Sequence, residues 1–205
     1  MDQEVAGEHQ VPFPIWKTVV LGRHQHADAY SAALLAHTKE FMAGALSEYH
    51  SNYHRIFDRI KQILLKMPIA KAETSVDLVR LTVQDMISLD DKGMVPKICA
   101  WENSTAIYGV TSAQIYSWVE KHGLELCPAE VGPALCLQSN QQQESLIAIG
   151  MEAIADSDGD LLIFYLVPVK RNNNFIGLHL DANYGMPSRN WHLDSALVFV
   201  RPNKK

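Results

Sequence analysis

The sequence predicts an α+β fold, with N-terminal helices packed on a mainly antiparallel β-sheet formed largely by the C-terminal half. Three observations lead there. Apolar residues recur at helical spacing ahead of Pro68. After Gly123 they switch to short runs rich in Ile, Leu, Val and Phe. Asp158-Gly159 stands between two of those runs as a hairpin signal. Helical pattern first and strand pattern second argues α+β.

Residues 1–14, with Pro12 and Pro14, read as a flexible lead-in to a single domain over 15–202. Residues 16–21 (WKTVVL) are β-branched and short, a first strand ended by Gly22. Asp28 is a good N-cap for a helical stretch over 29–46, because its carboxylate can accept free backbone N–H groups. A second helix carries Leu46, Tyr49, Tyr53, Ile56, Phe57, Ile60, Ile63, Leu64 and Met67 on one stripe, and Pro68 ends it. Residues 75–83 alternate as a strand, and 85–110 read as irregular, with Gly93, Pro96 and Gly109. Thr111 to Gln114 form a capping box for a helix that runs to about His122, with Gly123 as a left-handed terminator. The segments 135–138, 145–154, 161–169, 175–181 and 196–201 read as strands. Asp158-Gly159 reads as a two-residue hairpin turn between the second and third of these.

The chain has 205 residues, 47% hydrophobic and 20% charged, which fits a folded globular domain and excludes a disordered or collagen-like one. A net charge of −5 argues against nucleic acid or an acidic membrane surface as partner. No secretory signal pattern and no apolar run of about 20 residues is found, so no membrane association is expected. Cys99, Cys127 and Cys136 are odd in number and lack CxxC spacing. That opposes a disulfide framework or a cysteine-only zinc site and fits a reducing cytoplasm.

Several motifs line up along the chain: WKT at 16–18, VDLV at 76–79, LELCPAEVGP at 124–133, AIGMEAI at 148–154, DSDGD at 156–160, Trp191 and LVFV at 197–200. In this order they resemble a widespread family of uncharacterised bacterial proteins. Its members carry LELCPAEVGP followed by LRLQ, an IAMEPI-type strand, DSDGD, and a closing tryptophan before FVFV. The resemblance covers most of the chain and implies a bacterial protein with one continuous domain. The family has no established activity, so the likeness implies no substrate and no cofactor. The sequence departs from the family around 29–49, read as a helical insertion, and again at 175–189.

The candidate chemistry is sparse. Cys127 is followed downstream by His179 and His192, each two residues before an acid, Asp181 and Asp194. That order is found in cysteine hydrolases and transferases, although a free cysteine is most often a small buried hydrophobe. His24 and His26, with His50 and His54 four apart on a helix, could hold a metal, yet no acid or cysteine has matching spacing. DSDGD resembles half a calcium loop, but apolar residues follow at once, which favours a turn. Glu125, Glu130 and Glu152 could do paired acid–base work or serve as exposed strand and turn residues. No phosphate loop, GxSxG elbow or HExxH occurs. One positive hint remains: Tyr184 and Trp191 lie in a loop-rich stretch with Asn183, Arg189 and Asn190, a mix common at recognition surfaces. The expectation is therefore a non-catalytic binding domain for a protein partner or for itself. The alternatives are a Cys127 enzyme and, third, a histidine-based metal protein.

Overall fold

The computed structural model describes residues 13–21, 59–66, 74–90, 94–102, 105–138, 145–171 and 174–202. The stretch 29–49, most of the second helical stripe, and His24, His26, His50 and His54 lie outside the described residues. Within them the helical segment α1 (59–66) buries Ile60, Ile63 and Leu64, the end of the stripe that the three-and-four spacing marks.

The strands form two sheets, almost wholly antiparallel, consistent with α+β. The larger has seven strands: β1 (Lys17–Leu21), β2 (Thr74–Thr82), β5 (Ile147–Ile149), β6 (Ile154–Ala155), β7 (Leu161–Arg171), β8 (Asn174–Tyr184) and β10 (Ala196–Arg201). β10 lies between β2, antiparallel, and β5, parallel. β5 and β6 pair with one side of β7, and β8 adds to the other. The smaller sheet has the order β3 (Lys97–Glu102), β4 (Thr105–Thr111), β9 (Asn190–His192). The central strands β10, β5 and β7 are buried on both faces, which is why they read as continuous apolar runs without alternation.

The helices are not gathered ahead of the sheet. α2 (Val83–Leu89), α3 (Ser112–Lys121) and α4 (Val131–Gln138) are spread between strands, and β1 and β2 from the first half pair into the large sheet. Local patterning cannot show this, since the β2–β10 pairing joins positions far apart in sequence.

Four segments differ from their sequence reading. Residues 145–154 are not one strand: β5 ends at Ile149 and β6 starts at Ile154, each pairing with a different part of β7. The described residues within 85–110 are not irregular. They hold most of α2, which Thr82 and Asp85 open as a capping box, and then the β3–β4 hairpin. Residues 135–138 are not a strand but the last turn of α4. Val131 to Cys136 are all buried, so this helix is apolar all round and shows no amphipathic period to read. The Asp158-Gly159 hairpin is wider than two residues: pairing stops at Ala155 and Leu161. Asp156, buried, turns its Oδ1 to the N–H groups of Asp158 at 2.9 Å and Asp160 at 3.0 Å, and Gly159 takes φ +86°. Arg59 faces the Asp156 and Asp160 carboxylates, and Lys66 donates to the Ala155 and Asp156 carbonyls.

α4 packs against β1, β7 and β8. An eight-residue helix is only about 12 Å long. The large sheet must therefore curl until its two outer strands reach the same helix. The Cys136 thiol donates to the Leu178 carbonyl of β8 at 3.1 Å. The Gln138 amide donates to the Val20 carbonyl at 2.6 Å and accepts from the Val20 N–H at 3.2 Å. Gln138 thus stands in for a strand residue along the open side of β1, an edge that would otherwise offer bare backbone groups.

Candidate functional site

The capping box of α3 forms as the sequence predicts. Thr111 Oγ1 accepts from the Gln114 N–H, and Gln114 Oε1 accepts from the Thr111 N–H. This leaves the N–H groups of Ser112 and Ala113, which a capping box does not reach. They donate to the carbonyls of Arg189 at 2.9 Å and Pro187 at 3.0 Å. The helix N-terminus is thereby spent on fastening the connection between β8 and β9. At the far end Gly123 has φ +68°, and the bonds Gly123 N–H to Glu120 and Leu124 N–H to Val119 complete a Schellman cap.

The fastened connection, 185–189, starts at Gly185, whose N–H donates to the Leu161 carbonyl. A Cβ at Gly185 would meet Ile163 Cγ2 at 2.5 Å, so only glycine passes there. The turn then closes with Arg189 N–H on the Met186 carbonyl. Beyond it Trp191 pairs with Val110 and is buried, its Nε1 donating to the buried Ser112 Oγ at 2.8 Å.

Arg189 is the centre of the resulting cluster. Its Cζ lies over the Trp191 ring, 4.8 Å from the centroid, and over the Tyr165 ring at 5.3 Å. The two rings are near-parallel, 5.9 Å apart. Such cation–π contacts hold a guanidinium in place without consuming its N–H donors. One of these goes to the Tyr184 carbonyl. Arg189 Nε is buried with no acceptor, and so is the Tyr165 hydroxyl. Tyr116 lies near, its hydroxyl donating to the Met151 carbonyl at 2.9 Å.

Burial pushes both phenols up, Tyr116 to about 12 and Tyr165 further. The Arg189 charge pulls each back. For Tyr165, Tyr116 and Asp181 raise it again. Both therefore stay protonated near neutral pH as hydrogen-bond donors. The cluster holds a cation over two buried rings. At its border Tyr184 and Met186 are exposed.

The other sequence candidates are placed elsewhere. Cys127 is buried and gives its thiol proton to the Val198 carbonyl at 3.4 Å. Burial alone raises its pKa, far above the usual thiol range. Alternation would put Glu125 and Cys127 on one face, but Glu125 is exposed and Cys127 buried. The reason is that 124–127 is not a regular strand: Glu125 bridges Val200 and Cys127 bridges Met151, as isolated contacts. His179 is buried in β8 opposite Val167. His192 is exposed in β9, in the smaller sheet, and the exposed Asp194 follows it. Asp181 lies opposite Tyr165. Glu130 is half-buried at the entry to α4, and Glu152 is exposed after Met151. Among the described residues no three His, Cys, Asp or Glu side chains gather as metal ligands. Nor, among them, is any helix long and apolar enough to cross a membrane.

Arg189, Tyr184 and Trp191 are candidates from the sequence; Tyr165, Tyr116 and Ser112 join them only in the fold. Trp191, expected at a recognition surface, is buried as the floor beneath Arg189. The available signal for Tyr165 was a phenol inside the apolar run LLIFYLV, where its hydroxyl needs a partner. No protein-family model, curated protein or solved structure matches the chain.

Proposed function

We propose that the protein is a non-catalytic binding module, bacterial as its motif resemblance implies and cytoplasmic in keeping with its odd, unclustered cysteines, and that 184–191 is its recognition surface for a protein partner or a second copy of itself. The observation that carries this reading is Arg189. Its guanidinium is held over the buried Tyr165 and Trp191 rings, and exposed Tyr184 and Met186 stand beside it. Aromatic and arginine side chains on a rigid floor are what interface hot spots use. The desolvated thiol of Cys127 adds support, because a nucleophilic cysteine needs an accessible thiolate.

A photo-crosslinking amino acid placed at Met186 tests the reading, with the exposed Glu120 of α3 as control position. Adducts form at Met186 and not at Glu120, either with a cellular protein or, in purified protein, with a second copy as concentration rises. Arg189→Ala reduces them about tenfold, the loss of one hot-spot side chain. Equal labelling from both positions, or adducts indifferent to Arg189→Ala, rejects it.

A further inference from the structure

A second surface lies on the smaller sheet. β3 is an edge strand there, and among the described residues it pairs with β4 alone. Its other side offers open backbone N–H and C=O groups to an incoming strand. Ile98 on β3 and Tyr108 opposite it on β4 are 48% and 47% exposed, so the hairpin carries apolar surface as well.

β3 is also bulged. Lys97 and Ile98 lie opposite Gly109 and Tyr108, the pairing resumes at Ala100 with Ile107, and Cys99 is the extra residue. The bulge is built in: the Cys99 thiol donates to the Ile107 carbonyl at 3.3 Å, and a Cβ at Gly109 would lie 3.0 Å from the sulfur. It changes which residues share a face. Directly opposite residues lie on one face of a sheet, and Gly109 and Thr105, the partners of Lys97 and Glu102, are four apart on β4. Lys97 and Glu102 therefore share a face. On a straight strand, five residues apart, they would lie on opposite ones. Positions 98 and 101 share the other face, opposite Tyr108 and Ala106.

This spacing selects the partner. Take an antiparallel pairing that overlaps all six residues of β3. The partner residues facing Lys97 and Glu102 are then also five apart and must also share a face. A straight strand cannot supply that, whereas a second copy of β3 can. In the twofold register Lys97 faces Glu102 of the second copy, and Glu102 faces its Lys97. Both side chains are exposed, and neither is in an ion pair with a described residue. Opposite charges directly across a strand pair are favourable, and here they occur twice.

We propose that two copies of the chain join through β3, antiparallel about a twofold axis, so that their three-stranded sheets become one continuous sheet. The junction lies at the edge opposite β9, and the proposal does not rest on the reading of 184–191. Sedimentation velocity of the full chain over a concentration series tests it, with hydrogen exchange measured at each concentration. The chain is a dimer at high concentration, and the amides of 97–102 exchange more slowly there than on dilution. Lys97→Glu and Glu102→Lys each set like charges face to face twice and weaken the dimer about tenfold. Combining Lys97→Glu with Glu102→Lys restores it. A chain that stays monomeric at millimolar concentration overturns the proposal. So does a dimer that both single variants leave intact, or one that the combined variant does not regain. Protection of 97–102 that is equal at every concentration would put another segment of the same chain on the edge. Protection that appears only with a cell extract would put a foreign strand there. Either result overturns the proposal.

Discussion

Tyr116 and Tyr165 are both packed tyrosines with raised pKa values, yet their hydroxyls are in opposite situations. Tyr116 donates to the Met151 carbonyl, whereas the hydroxyl of Tyr165 is buried without an acceptor. Deleting a satisfied hydroxyl loses a net bond of about 1 kcal/mol and strands its carbonyl partner. Deleting an unsatisfied one removes a desolvation cost. Tyr116→Phe is therefore expected to lower the unfolding free energy by about 1 kcal/mol, and Tyr165→Phe to leave it unchanged or raise it by a similar amount. Urea unfolding of the two variants beside wild type checks this. A clear loss in Tyr165→Phe would mean that its hydroxyl has a partner. The residue types at this cluster were partly legible: Arg189, Tyr184 and Trp191 stand in a loop-rich run. Which ring is floor and which is surface was not, because β7, β9 and the α3 N-terminus meet only in three dimensions.

At the scale of elements, α4 matters most. It is short, buried on nearly every side, and touches both outer strands of the large sheet. Gly132 allows the approach, since a Cβ there would lie 3.0 Å from Phe164 Cβ. At its C-terminus Gln138 closes the β1 edge through two bonds to Val20. Gln138→Ala opens that edge. The expected cost is about 1 kcal/mol, with faster hydrogen exchange at the Val20 amide and more concentration-dependent light scattering. Unchanged exchange at Val20 would show that the amide contact does not protect the edge. The capped helix α3 was readable from Thr111, Gln114 and Gly123, because capping is local chemistry. α2 carries the same kind of signal in Thr82 and Asp85, masked in the sequence by the glycines and proline of the following stretch. α4 was not readable, since a helix surrounded by protein has no polar face to give it a period.

For the whole molecule, the curled sheet and α4 bury two thiols and two phenols in one interior, and this couples stability to alkaline pH. Burial raises Cys136 from 9.0 to about 12, Tyr116 from 10.0 to about 12, and Cys127 and Tyr165 higher still. A thiol with a raised folded pKa keeps its proton in the folded state while the unfolded chain loses its own. Its contribution is thus fully present below the unfolded value near 9 and is lost as pH rises toward the folded one. Stability is expected to fall from about pH 9 to 12, by up to about 1.4 kcal/mol per pH unit for each thiol. Cys127→Ala with Cys136→Ala flattens the slope between pH 9 and 10, below the range where the phenols take over. Chemical unfolding across that pH range measures it, and an unchanged slope in the double variant would count against burial of the thiols.

Elements whose information is local are legible in the residues. The β-branched first strand, the capped and terminated α3, the apolar runs of β7, β8 and β10 and the end of the α1 stripe follow from residue spacing and capping chemistry within a few positions. Tertiary structure alone decided the rest. It placed β10 between β2 and β5, rolled the sheet onto α4, buried Cys127 beside Val198 and slid Trp191 under Arg189. These outcomes depend on which distant surfaces exclude water together, and no window of neighbouring residues holds that information.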